Sequence, residues 1–393
     1  MITTILISVG LILLPLLPIF GFSGKPTLSA FGMGVATALC LWGYFTQEQR
    51  PLRNKWLLFF CGYLLISAWQ APYPNLKVLG MNPQHFWVWK SMFYAFMFLG
   101  MYRTISSAKL SDKQKDLIFD IVIYTTMIMS VYVIGQRFGL LQWFTRGDGI
   151  LPVALDVNGF LRAAGTLGSP NYVSPYLMLG IPFALYRKKW LFAIPIVLGV
   201  IATNSQMAIG STIVMLMIIL YFKYKKTIIS LFVIGALTAG LGLAVKGSVV
   251  DKVIDDSTRF AEWKKIAISI KTPYMSNKAY PYTGRGPGAF KWTYRPSSGS
   301  NFAEAHNEYL EVLYDTGIIG LFLFVMSLYY IFKNTILNER KKYLMSAFIG
   351  ICVCSGGIFA WHLGMTMYMT VLIAGLLNNE TKAGGVPSAA QLK

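Results

Sequence analysis

The chain alternates apolar runs of membrane length with short basic clusters, and that alternation restricts its fold more than any other feature. Runs of about 17 to 25 apolar residues predict spanning helices near 2 to 20, 28 to 46, 56 to 70, 86 to 102, 117 to 137, 171 to 186, 190 to 204, 207 to 222, 227 to 245 and 308 to 332. The run from 343 to 377 is too long for one span, and Gly356-Gly357 is expected to break it into a hairpin, giving about twelve helices. The expected fold is therefore all-α, a polytopic transmembrane bundle. A composition 55% hydrophobic and only 13% charged, with mean hydropathy +0.53, is far too apolar for a soluble chain of this size.

The net charge of +19 invites a nucleic-acid partner, but the positions of the cations argue against one. Arg50, Arg53 and Lys55 form one cluster, and Arg103, Lys109, Lys113 and Lys115 another. Arg187-Lys188-Lys189, then Lys223, Lys225 and Lys226, then Lys333, Arg340, Lys341 and Lys342 follow, one after every second span. This is the positive-inside pattern, and it places these loops and both termini in the cytoplasm. No basic segment or small-residue cleavage site precedes Lys25, so the first run is expected to be a retained helix. Cys40, Cys61, Cys352 and Cys354 all lie in apolar runs, where they read as small hydrophobes.

Three regions follow: 1–245, a bundle of nine helices; 246–307, a large outer loop with amphipathic helices; and 308–393, three further spans and a cytoplasmic tail from Asn378 to Lys393. The outer loop is too long to be a turn, as is the segment from Phe138 to Pro170. From Lys246 to Ala305 it carries ten basic residues against five acidic, which suits either an anionic ligand or a solvated lysine-rich surface. Asp255-Asp256-Ser257 supplies N-cap residues, and Phe260, Trp263, Ala267 and Ile270 then recur at helical spacing. Arg259, Lys264 and Lys265 are expected to point away from that stripe.

Polar residues concentrate in three patches. Arg162-Ala163-Ala164-Gly165-Thr166-Leu167-Gly168-Ser169-Pro170-Asn171-Tyr172 leads into a span; Arg162 could offer a planar fork to phosphate or snorkel to headgroups. Arg259 and Trp263 are followed by Gly284-Arg285-Gly286-Pro287-Gly288-Ala289-Phe290, either a nest of backbone N–H groups for an anion or a structural turn. His306-Asn307 stands where the polar loop ends and the next span begins. A histidine at that address can act as a general base or can cap the helix end. Metal binding is not expected, since His85 and His362 are far away in sequence, and no cofactor motif is present.

In this order, Arg-x-x-Gly-Thr-Leu-Gly-x-Pro-Asn, Arg-x-x-x-Trp, Gly-x-Gly-x-Gly-x-Phe and His-Asn-x-Tyr-Leu-x-x-Leu-x-x-x-Gly-Ile-Ile-Gly-Leu resemble the O-antigen ligase and polymerase superfamily, over about Arg162 to Leu321. The resemblance implies a metal-independent glycosyltransferase of the bacterial inner membrane with its site on the periplasmic face. Its donor would be a glycan on undecaprenyl diphosphate, and its acceptor the lipid A core or another glycan. His306, with Asn307 beside it, would activate the acceptor hydroxyl. Arg162 and Arg259, with Arg285, would hold the diphosphate, and Asn171 and Gln206 would flank the donor. One departure stands out: where the family carries Ser-Arg after the seventh span, this chain has Ser205-Gln206, so Arg285, Lys264 or Lys265 would have to compensate. The alternatives are a polymerase joining carrier-linked repeat units and a flippase for lipid-linked oligosaccharides. Transporters place ionisable groups at mid-span, where only Lys90 and Asp120 are candidates here.

Overall fold

The computed structural model describes residues 2–16, 25–46, 54–70, 83–140, 154–155, 161–167, 169–224, 258–271, 280–294, 305–358, 361 and 364–379. Arg162 and Arg259 are described in backbone only, as is Lys90. The span expected at 227–245, the caps Asp255 to Ser257, His362 and the tail beyond Asn379 lie outside the described residues.

Among the described residues eight apolar helices come first: α1 (Ile2–Leu16), α2 (Lys25–Thr46), α3 (Lys55–Gln70), α4 (Pro83–Ser107), α5 (Asp112–Arg137), α6 (Pro170–Tyr186), α7 (Trp190–Ala202) and α8 (Gln206–Lys223). After the amphipathic α9 (Thr258–Lys271) and a single turn α10 (Tyr280–Thr283) come α11 (Glu308–Lys333), α12 (Glu339–Cys354) and α13 (Gly364–Asn378). Among the described residues, α5, α8 and α11 are long and apolar enough to cross a membrane, and the all-helical bundle is that of a polytopic membrane protein. The hairpin expected at Gly356-Gly357 is present as the turn after α12. Among the described residues a ladder of two-residue strands, β1 (Ala154–Leu155) and β2 (Leu161–Arg162), departs from helix and pairs Ala154 with Arg162.

Local chemistry sets the helix starts. Ser111 opens α5 with a capping box: its hydroxyl accepts from Gln114 N, and Gln114 Oε1 accepts from Ser111 N at 2.8 Å. Asn338 caps α12 in the same one-sided way that Asn307 caps α11. Between the helices the packing is dense and apolar, with Phe119 edge-on to Phe183 at 4.7 Å and Ile373, Leu372 and Val371 fully buried. Small residues let helices close up: a Cβ on Gly180 of α6 would fall 2.3 Å from Thr126 Oγ1 on α5.

The two ends of the bundle differ in chemistry. At one end the α4–α5, α6–α7 and α11–α12 connections meet in an ionic cluster. Arg187 pairs with Asp116 at 2.9 Å and Asp120 at 3.0 Å, Lys189 with Asp120 at 3.0 Å, and Arg340 with Asp112 at 2.7 Å and Asp116 at 3.3 Å. The hydrogen bond that Arg187 donates to the Asp120 carboxylate holds its guanidinium above its ordinary range. Asn379 at the end of α13 donates to the Ile105 and Ala108 carbonyls at the same end. Asp120 is thus part of the ionic end and not an isolated mid-span acid, because two basic clusters, Arg187 with Lys189 and Arg340, converge on the first turns of α5. At the opposite end lie Thr166, bonded to the Pro15 carbonyl, the start of α8, the turn after α12, α9, α10 and the start of α11.

Candidate functional site

A second, smaller core stands over this opposite end. It consists of Ile266, Ala289, Phe290, Tyr294, Ala305 and Tyr314, with Trp263 and Ile270 packed against it. Among the described side chains, the buried stripe of α9 departs from the sequence expectation at Ala267: Ile266 is fully buried, while Ala267 faces out with Lys264 and Lys265. The stripe is pulled round by Glu262, which is buried and accepts from the Tyr294 hydroxyl at 2.8 Å.

His306 sits between this core and the bundle. Its φ is +50°, the left-handed region, and it is half-buried. The chain turns sharply there because both neighbours are held. On the loop side, Trp263 Nε1 donates to the Ala305 carbonyl at 2.8 Å, and Ala305 N donates to Glu311 Oε2 at 3.2 Å. On the helix side, Asn307 Oδ1 accepts from Leu310 N at 3.1 Å, and Glu308 N donates to the Ser355 carbonyl at 2.9 Å. Asn307 is therefore the N-cap of α11. Trp263 brings α9 against the His306 segment, and Arg259 lies one turn earlier on the same helix.

The glycine-rich turn offers its amides to an anion that the chain itself supplies. Asp315 Oδ2 accepts from Gly288 N at 2.6 Å, Asp315 Oδ1 from Phe290 N at 2.8 Å, and the Asp315 carbonyl from Gly286 N at 2.8 Å. The nest is occupied by a protein carboxylate. Arg285 is likewise committed: it is 6% exposed, stacks 4.4 Å from the Tyr314 ring, donates to the Tyr314 hydroxyl, and donates through Nη2 to the Ser269 carbonyl at 2.7 Å. Its described hydrogen bonds go to protein groups, unlike those of a guanidinium held open for diphosphate.

The remaining expected residues form a second group. Ser205 Oγ donates to Asn171 Oδ1 at 3.4 Å, joining the starts of α6 and α8, and Gln206 follows as an exposed residue. The turn after α12 bridges the groups. On one side a Cβ on Gly357 would meet Met207 Cγ at 2.4 Å, and on the other the Ser355 carbonyl holds Glu308. Trp361 completes that turn, donating from Nε1 to Ser355 Oγ at 2.8 Å. Below, a cavity of about 90 Å³ is lined by Phe98, Phe324, Trp361 and Pro287, with the carboxylates Glu308 and Asp315.

Sequence reasoning missed Asp315, Glu311, Ser355 and Trp361. A signal existed for the acids: Glu308, Glu311 and Asp315 fall at i, i+3 and i+7 at the start of an apolar span, one face of a helix.

Residues 191–325, from α7 to the middle of α11, match the model of a family described as O-Antigen ligase, which supports the O-antigen ligase and polymerase superfamily for this chain. The matched segment contains α9, the glycine-rich turn and His306. No curated protein sequence matches the chain.

Proposed function

We propose, from the O-antigen ligase match over residues 191–325, that this protein transfers a glycan from undecaprenyl diphosphate to a sugar of the lipid A core, with His306 as general base. The bundle would have twelve spans, with both termini cytoplasmic and the His306 end periplasmic in a bacterial inner membrane. The observation that carries the reading is the left-handed turn at His306, inside the matched segment and pinned on both sides. A base must be held at a fixed place relative to the hydroxyl it deprotonates, and this turn holds one.

In the proposed reaction the acceptor hydroxyl gives its proton to the His306 imidazole while its oxygen attacks the anomeric carbon. The C–O bond to the diphosphate breaks with its electron pair going to the leaving phosphate. Proton transfer to a positioned base contributes about 10²- to 10⁴-fold. Diphosphate leaves readily, so cationic donors aimed at its developing charge supply the rest. Arg162 and Arg259 are the proposed donors, with the exposed Gln206 and the half-buried Asn171 beside them. Arg285 acts by tying the glycine-rich turn to α9, and Asn307 by starting α11. One displacement, without a covalent intermediate, inverts the anomeric centre, so a product with retained configuration refutes this mechanism.

The test is transfer of a labelled glycan from undecaprenyl diphosphate to purified lipid A core, comparing wild type with His306→Ala. Loss of at least about 10²-fold in the variant, with unchanged thermal unfolding, is expected. Equal activity leaves His306 a helix-end residue. Chain growth on carrier-linked repeats without transfer to core makes the protein a polymerase of the same chemistry. Movement of the carrier-linked glycan across vesicles without transfer makes it a flippase.

A further inference from the structure

Asp315 is a charged side chain only 5% exposed, and its helix carries no further charge until Lys333 in the last turn. A carboxylate removed from water needs its oxygens filled, and two loop amides, Gly288 N and Phe290 N, donate to them here. Counting the bond from Gly286 N to its carbonyl, one residue holds three alternate amides of the glycine-rich turn. The backbones also touch: a Cβ on Gly284 would lie 2.2 Å from the Asp315 carbonyl oxygen, and one on Gly317 would lie 2.3 Å from the Tyr282 carbonyl oxygen. The turn therefore has one seat on α11, and Asp315 defines it.

What depends on that seat is the geometry of the proposed site. Arg285 leaves the turn to grip the Ser269 carbonyl near the end of α9. From α9, Trp263 reaches the Ala305 carbonyl beside His306. A shift of the turn would thus move α9, and with it Arg259, relative to His306. We propose that Asp315 is a positioning residue for the transfer, clamping the glycine-rich turn so that α9 and the His306 turn keep a fixed separation. This rests on the glycosyl-transfer reading above.

Asparagine has the shape of aspartate but one acceptor oxygen fewer and no charge, so Asp315→Asn removes one of the two side-chain bonds of the clamp with little change in volume. The experiment measures thermal unfolding, amide exchange of the peptide over Gly286 to Phe290, and separate donor and acceptor kinetics in the core-transfer assay. Exchange of that peptide at least tenfold faster is expected, together with a donor KM or kcat changed at least tenfold and an acceptor KM within twofold of wild type. Unchanged exchange overturns the clamp. Faster exchange with unaltered kinetics makes it a structural feature and overturns the positioning role. Should Asp315→Asn fail to fold, Asp315→Glu keeps the charge and shifts it by one methylene; it is expected to show intermediate exchange and donor kinetics, and wild-type values for both overturn the proposal. Absence of transfer by the wild-type protein refutes the reaction and with it the positioning role, while the exchange result still decides whether the clamp exists.

Discussion

Ile373 in the helical bundle and Phe290 in the outer loop are both fully buried, yet their surroundings are built differently. Ile373 lies among long apolar helices whose backbone groups are satisfied within each helix, so its neighbours need only fill space. Phe290 lies in a core of a few residues, where irregular backbone must be satisfied one group at a time. Asp315 takes its amide, Tyr294 stacks on it at 4.8 Å, and Arg285, Glu262 and Trp263 close the edges through hydrogen bonds. The bundle is specified by pattern and the loop by individual residues. Substitutions should therefore be tolerated in the first where volume is kept, and in the second should fail one bond at a time.

Glycine gives the largest expected contrast. Gly284 and Gly317 have φ of +76° and +66°, and each would drive a Cβ into the backbone of the other's strand of chain. Gly284→Ala or Gly317→Ala is expected to cost about 3 kcal/mol or more and to abolish transfer. Gly34→Ala in α2 and Gly62→Ala in α3 meet no atom within 4 Å and are expected to be neutral or to gain up to about 1 kcal/mol of helix propensity. Thermal unfolding in detergent with parallel transfer assays checks both; equal effects at the two kinds of site break the comparison.

The arginine comes next. Arg285→Lys keeps the charge but loses the fork between Tyr314 and Ser269, and a loss of about 1 to 3 kcal/mol is expected. Lys264→Ala on the exposed face of α9 should stay within about 0.5 kcal/mol. If Arg285→Lys instead leaves unfolding unchanged and raises only the donor KM, Arg285 faces the diphosphate and the loop core is less self-contained than its hydrogen bonds imply. Trp263→Phe keeps the ring and removes the donor to the Ala305 carbonyl. Transfer is expected to fall about tenfold as the His306 turn loosens, with a stability loss near 1 kcal/mol.

The same contrast explains what could be read from the sequence. Apolar runs placed α3 and α6 within a residue of their observed bounds, and the glycine pair located the hairpin after α12, because membrane-length periodicity needs no partner to be legible. Helical spacing of apolar residues located the amphipathic α9, and the order of motifs singled out His306-Asn307 where α11 begins. Which side chains serve the ligand and which serve the loop was not legible. Gly-x-Gly-x-Gly looked open to an anion, but the anion is Asp315, which lies twenty-five residues further on from Phe290 and is recognisable only once the chain has folded back. Arg285 is ambiguous for the same reason: a guanidinium that pairs with Tyr314 and one that awaits diphosphate have the same neighbours in sequence.

The smallest expected effect concerns the other half of the site, where the comparison is at its weakest. Gln206 opens α8 on the exposed side of the Ser205 to Asn171 bond, next to the Met207 that packs on Gly357. Nothing buried depends on its side chain, so Gln206→Arg should leave thermal unfolding unchanged within about 0.5 kcal/mol. A cation in that place would face the same end of the bundle as His306, where a diphosphate is proposed to leave. If Asn171 and Gln206 flank the donor, Gln206→Arg should lower the donor KM by a few fold, and the gain should shrink as salt rises from low to physiological strength. Acceptor KM should not change. A donor KM indifferent to this added charge would remove Gln206 from the donor site and confine the chemistry to the His306 side of the bridging turn.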